Sequence, residues 1–161
     1  MALTPIIRFD STDAIIGWTT VNDDIMGGSS SGKLKFANNQ LIFQGSLNTR
    51  GGGFASVRTK PKCLNLASHT GIAFNVRGDG RCYKFRLTTD QTNVSYSATF
   101  STLSAQWITV ELPFSQFLAT WRGRRVSASP MDPAEIRSIG FLIADQTDGA
   151  FLLEVDWISA Y

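Results

Sequence analysis

The chain has 161 residues, of which 43% are hydrophobic and 17% charged, with a formal net charge of +2. That length fills one good core and is too short for two ordinary domains, so a single domain over residues 1–161 is expected. The composition excludes a disordered chain, the near-neutral balance excludes a strong global field for nucleic acid, and no apolar run approaches the ~20 residues of a membrane helix.

In chain order, the opening Met1-Ala2-Leu3-Thr4-Pro5-Ile6-Ile7 lacks the basic region and the apolar core of a secretory signal, and it is not an Arg-rich transit peptide. The expected location is a bacterial cytoplasm, peripheral to a membrane. Trp18 to Ser29, W-T-T-V-N-D-D-I-M-G-G-S, is poor strand, poor helix and too apolar for a plain linker. It reads as a shaped loop. Gly27 to Lys33 imitates a phosphate loop, but Leu34 stands where a Ser or Thr should hold magnesium, and the flanking strand and helix are missing.

From there on, short segments alternate with period two. Leu34 and Phe36 are followed by Asn38-Asn39 and then by Leu41, Phe43, Gly45 and Leu47. Ile72, Phe74 and Val76 precede Gly78-Asp79-Gly80, and Tyr83, Phe85 and Leu87 follow it. Asp-Gly is a hairpin signal because Gly adopts positive φ at little cost. Val94 to Phe100 and Ile108 to Leu112 continue the pattern, and Asp132-Pro133-Ala134-Glu135 is a capped start of a short helix. Phe141, Ile143, Phe151, Leu153, Val155 and Trp157 read as core strand positions. One apolar and one polar face per strand indicates antiparallel sheets. The expected fold is all-β, an antiparallel β-sandwich of jelly-roll type with one or two short helices.

Chemistry is sparse. His69 is the sole histidine, and no Ser or Cys stands suggestively beside it. Asp23 and Asp24 are neighbours on an extended chain and point to opposite sides, so they are not a carboxylate pair for hydrolysis. Their loop offers oxygens of the kind calcium prefers, but no metal and no cofactor is assigned. Cys63 and Cys82 are expected to be small, buried or half-buried thiols. Trp107 and Trp157 are expected in the core, and Trp18 and Trp121 nearer the surface. Arg58, Arg77, Arg81, Lys84 and Arg86 would form a positive stripe on one sheet face if the strands around Asp79-Gly80 pair as a hairpin; the alternative is internal pairing of Arg58 or Arg77 with Asp23, Asp24 or Asp79. Trp121-Arg122-Gly123-Arg124-Arg125 interleaves aromatic and basic residues, a pattern that can bind single-stranded nucleic acid.

Three ordered segments resemble the complex I intermediate-associated protein 30 family. They are N-D-x-x-M-G-G-x-S at Asn22 to Ser30, G-G-F-x-S-x-R at Gly52 to Arg58, and R-G-D-G-x-x-Y at Arg77 to Tyr83. Arg122-Gly123-Arg124, Ile139-Gly140-Phe141, Phe151 and Asp156-Trp157-Ile158 extend the resemblance over nearly the whole chain. It implies a galactose-binding-like jelly roll. It also implies a non-catalytic, chaperone-like assembly factor for a membrane-bound respiratory or photosynthetic complex, whose partners are subunits of that complex or other assembly factors. The binding surface expected on that basis comprises Asn22, Asp23, Asp24, Met26, Phe54, Arg58, Arg77, Asp79 and Tyr83, with Trp121, Arg122 and Arg124 as a second patch. A carbohydrate-binding module and an RNA-binding domain are the two alternatives.

Overall fold

Alternating side chains make two-faced strands, and two such sheets bury their apolar faces on each other. The computed structural model describes residues 2–22, 30–50, 53–90, 94–121 and 124–161. In these residues the strands are β1 (Thr4–Arg8), β2 (Trp18–Asn22), β3 (Ser31–Ala37), β4 (Gln40–Leu47), β5 (Ala55–Thr59), β6 (Gly71–Arg77), β7 (Cys82–Thr88), β8 (Ser95–Ser101), β9 (Trp107–Pro113), β10 (Leu118–Trp121), β11 (Arg124–Arg125), β12 (Ser138–Ile143) and β13 (Gly149–Ala160). They form a six-stranded sheet in the order β3-β4-β13-β6-β9, with β1 also on β13, and a seven-stranded sheet in the order β11-β10-β8-β7-β12-β5-β2. All the strand pairs are antiparallel. The helical content described is three 3-10 turns, at Thr12–Ile15, Phe114–Gln116 and Pro133–Glu135. This is the all-β jelly-roll sandwich that the alternation predicts.

The core lies between the sheets. Phe74 of the six-stranded sheet stacks on Phe85 at 5.0 Å between ring centroids and meets Phe100 and Phe141 edge-on at 4.9 and 5.4 Å. Those three partners belong to the seven-stranded sheet. Burying each such ring contributes about 1.5–3 kcal/mol, and the offset or edge-on geometry suits the ring quadrupoles.

The turn readings divide. Asn38 and Asn39 have φ of 55° and 59° and close the β3–β4 hairpin as expected. Asp132 caps its turn by accepting the Ala134 N–H at 2.9 Å, and the turn ends after Glu135. Gly78-Asp79-Gly80, by contrast, is not a hairpin tip. β6 pairs with β13 and β9, β7 pairs with β12 and β8, and the segment carries the chain from one sheet to the other. The hairpin-based stripe is therefore divided: Arg77 lies on one sheet, and Arg58, Lys84 and Arg86 on the other.

The tryptophans also need correction. Trp18 is buried, its ring 6.0 Å from Phe9, because β2 returns against the core. Trp157 follows a register shift at Asp156 that turns it beside Asn75, on the outer side, half-buried; one extra residue reverses which face a side chain takes. Trp107 pairs with Arg77, also on the outer side. Trp121 is 47% exposed. Cys63 and Cys82 are free and exposed rather than buried, because each falls outside the inward-facing positions.

Candidate functional site

Two constellations collect the motif residues. The first is a clasp where the chain crosses between sheets. Asp79 accepts the Arg81 N–H at 3.1 Å, the Leu152 N–H at 2.8 Å, and the Tyr83 hydroxyl at 3.0 and 3.1 Å from its two oxygens. Arg81 grips Asp145 in a bidentate pair, Nη2 to Oδ1 at 2.6 Å and Nε to Oδ2 at 2.8 Å. It also donates to the carbonyls of Gly149 and Ala150, at 3.1 and 2.9 Å, and to that of Thr147. The hydrogen bond from Arg81 holds Asp145 below the usual carboxylate range, and the same bond raises Arg81. Burial, followed by the charge of Asp79, pushes the Tyr83 phenol well above its ordinary range.

Beside the clasp, Arg77 pairs with Glu154 at 2.7 Å, and its guanidinium lies 5.0 Å over the Trp107 ring. Arg77, Asp79 and Tyr83, all expected on a binding surface, are thus engaged inside the chain. Tyr83 has no exposure at all and makes its contacts within the core.

The second constellation is the outer face of the seven-stranded sheet. Among the described residues, its strands carry Arg58, Lys84, Arg86, Arg124 and Arg125 and no acidic residue. The six-stranded sheet mixes Arg8, Lys33, Lys35 and Arg77 with Glu111, Glu154 and Asp156. Gly140 sits between Arg58 on β5 and Arg86 on β7 in one cross-strand row, which continues to Ser97. A Cβ on Gly140 would come within 2.2 Å of the Val57 carbonyl oxygen and 2.9 Å of Arg58 Cα, so a glycine is required there. Arg86 is half-buried, and its Nε is buried without a hydrogen-bond partner. Desolvation, then the like charge of Arg58, lowers its pKa. Neither arginine has an ion-pair partner among the described residues. Neighbouring hydroxyls sit low in the same face: Ser56 and Ser138 are 2% and 4% exposed.

The other expected site residues are dispersed. Asn22 donates to the Gly32 carbonyl at 3.3 Å. Phe54 is half-buried, and Arg124 is exposed beside Trp121 at the sheet edge. Asp23, Asp24, Met26 and Arg122 lie outside the described residues. Among the described residues no group of three or more His, Cys, Asp or Glu side chains converges as a metal site would need. Arg86 was legible only as one member of a stripe. Its place opposite Arg58 depends on β12 lying between β5 and β7, and strand order leaves no mark in local sequence.

The fold has close counterparts among solved structures. The family 11 carbohydrate-binding module of a cellulosomal cellulase of Clostridium thermocellum superposes with a TM-score of 0.75 at 16% identity, covering 99% of this chain and 94% of the module. The same family's module in complex with a β-1,3-1,4-mixed-linked tetrasaccharide gives 0.74 at 18% identity, covering 98% and 94%. At these identities the likeness is one of fold. In sequence, the mouse mitochondrial complex I intermediate-associated protein 30 is 28% identical over 96% of this chain and 55% of its own length. The probable counterpart from Caenorhabditis elegans is 27% identical over 96% and 53%. The chain thus spans about half the length of these relatives. The family model described as "Complex I intermediate-associated protein 30" matches residues 7–155, and the chain belongs to that family.

Proposed function

We propose that the chain is a non-catalytic, chaperone-like assembly factor that binds protein subunits of a membrane-bound redox complex, or fellow assembly factors. The observation that carries this reading is the family match over residues 7–155, with named relatives associated with complex I. The contact surface proposed with it is the outer face of the seven-stranded sheet. The clasp consumes Arg77, Asp79 and Tyr83 internally, whereas the outer face of the seven-stranded sheet keeps Arg58, Lys84 and Arg86 without opposing charge on its strands. Electrostatic complementarity of that kind steers a partner and sets its register.

The His69 Nδ1 is buried without a hydrogen-bond partner among the described residues. The proposed working place is a cytoplasm, at the periphery of a membrane; the named relatives are mitochondrial. Among the described residues no helix is long and apolar enough to cross a membrane.

The test is in-cell cross-linking followed by affinity purification of the intact chain, with Arg58→Gln as the comparison. Repeated recovery of subunits of one membrane complex by wild type, weakened in the variant, supports the proposal. Recovery of no such subunit, together with binding of a mixed-linkage glucan tetrasaccharide, would replace it with a carbohydrate-binding function.

A further inference from the structure

The row Arg58–Gly140–Arg86 has a feature that an ordinary solvated sheet face lacks. Two like charges lie two strands apart, about 10 Å between their Cα atoms at the usual inter-strand spacing. The residue between them has no side chain, and a Cβ there would collide with β5 backbone. The row is therefore close-packed at Gly140, with one arginine on the strand to either side.

Arg86 is the decisive residue. A cation that loses water without gaining a partner is unfavourable, and natural structures usually pair it. Here Arg86 Nε is buried and unpartnered, and the neighbouring charge of Arg58 repels it. No acidic residue lies on any described strand of this sheet to neutralise either arginine. The pair is arranged as if for an anion supplied from outside the sheet. Guanidinium groups match a carboxylate in bidentate geometry.

We propose that the Arg58–Arg86 pair binds a carboxylate projected by an acidic stretch of a partner polypeptide. This rests on the assembly-factor reading above and names the chemistry of its partner. Three observations select this ligand. A neutral sugar cannot offset a desolvated cation, and β5, β7, β8 and β12, the strands around the two arginines, place no aromatic ring on this outer face for a sugar to stack on. Single-stranded nucleic acid uses such aromatic platforms as well. A half-buried arginine is reached by one projecting acid more readily than by a backbone of phosphates running over the surface, and the net charge of +2 gives no long-range attraction for a polyanion.

The experiment titrates the intact chain with a labelled oligoglutamate peptide, with oligolysine, oligouridylate and a mixed-linkage glucan tetrasaccharide as comparisons. The variants are Arg58→Gln, Arg86→Gln and Arg86→Lys. The expected result is salt-sensitive binding of oligoglutamate, weakened about tenfold or more by either Gln variant and partly restored in Arg86→Lys. The Arg86 Nε–H resonance of wild type should also shift on adding the peptide, which needs no variant to fold. Because Arg86 is desolvated and faces a like charge, Arg86→Met should leave Tm unchanged or raise it while binding falls.

Absence of oligoglutamate binding, equal binding by wild type and both Gln variants, or an Arg86 resonance that does not move would each overturn the proposal. Displacement of the peptide by oligouridylate at lower concentration would overturn it in favour of nucleic acid. The two readings fail separately. If complex subunits are captured in cells but oligoglutamate is not bound, the carboxylate site is wrong and the assembly reading stands. If oligoglutamate binds through Arg86 and no complex subunit is captured, the site stands and the assembly reading does not.

Discussion

Asp79 and Tyr83 join the two sheets through a single carboxylate. The Tyr83 hydroxyl comes from β7 of the seven-stranded sheet and donates to Asp79 at 3.0 Å. The same carboxylate receives the Leu152 N–H from β13 of the six-stranded sheet at 2.8 Å. Removing the acceptor leaves both buried donors unsatisfied, each costing about 1–3 kcal/mol. Asp79→Ala is therefore expected to destabilise by about 2–5 kcal/mol in urea unfolding. Tyr83→Phe removes one bond to a charged acceptor and should cost about 1–3 kcal/mol. A loss under half a kcal/mol for Asp79→Ala would show that the clasp does not hold the sheets together.

The clasp also predicts an acid dependence. Asp145 has its folded pKa depressed by the Arg81 hydrogen bond. A depressed carboxylate contributes stability that is full above its unfolded pKa and is lost as pH falls through the folded one. The stability gap between wild type and Asp145→Asn should therefore narrow below about pH 4. Tm measured across that range checks this; a gap independent of pH would remove Asp145 from the acid transition.

Tyr83 gives the alkaline counterpart. Its folded pKa is raised by burial and by Asp79, so the neutral form is favoured in the folded state. Folding stability falls once pH exceeds the unfolded tyrosine value of about 10. Of the chain's three tyrosines, Tyr83 is expected to ionise only on unfolding, as followed by tyrosinate absorbance. Full, reversible ionisation of all three in the folded protein would contradict the burial of this hydroxyl.

Gly140→Ala should destabilise by about 1–3 kcal/mol, because its Cβ meets backbone that cannot swing aside. The same change should perturb the side-chain resonances of Arg58 and Arg86. Unchanged stability and unchanged resonances would mean that the row between those arginines is looser than its geometry.

Arg77→Ala removes an ion pair to Glu154 and a cation over Trp107, both at a partly exposed position. The expected cost is about 1 kcal/mol. Capture of partners should match wild type, in contrast to Arg58→Gln. Cross-linking both variants side by side separates a motif residue that builds the fold from one on the proposed binding face.

What the sequence determined by itself is what depends on near neighbours. Period-two alternation in Tyr83, Phe85 and Leu87 reflects the pleat, and these three are fully buried. Asn38-Asn39 closes its hairpin because positive φ is a property of those residues. Asp132 caps its turn within two positions. The ordered motifs likewise marked the family and the jelly roll. The tertiary structure alone decided which strands adjoin. Asp79-Gly80 carries a turn signal, yet nothing local says whether the chain turns back within a sheet or crosses to the other. A single register shift at Asp156 moved Trp157 to the outer side. Arg58 and Arg86 meet across Gly140 only because β12 enters between β5 and β7. Strand order is set by burial summed over the whole core, so residues distant in the chain become neighbours without any signal at their own positions.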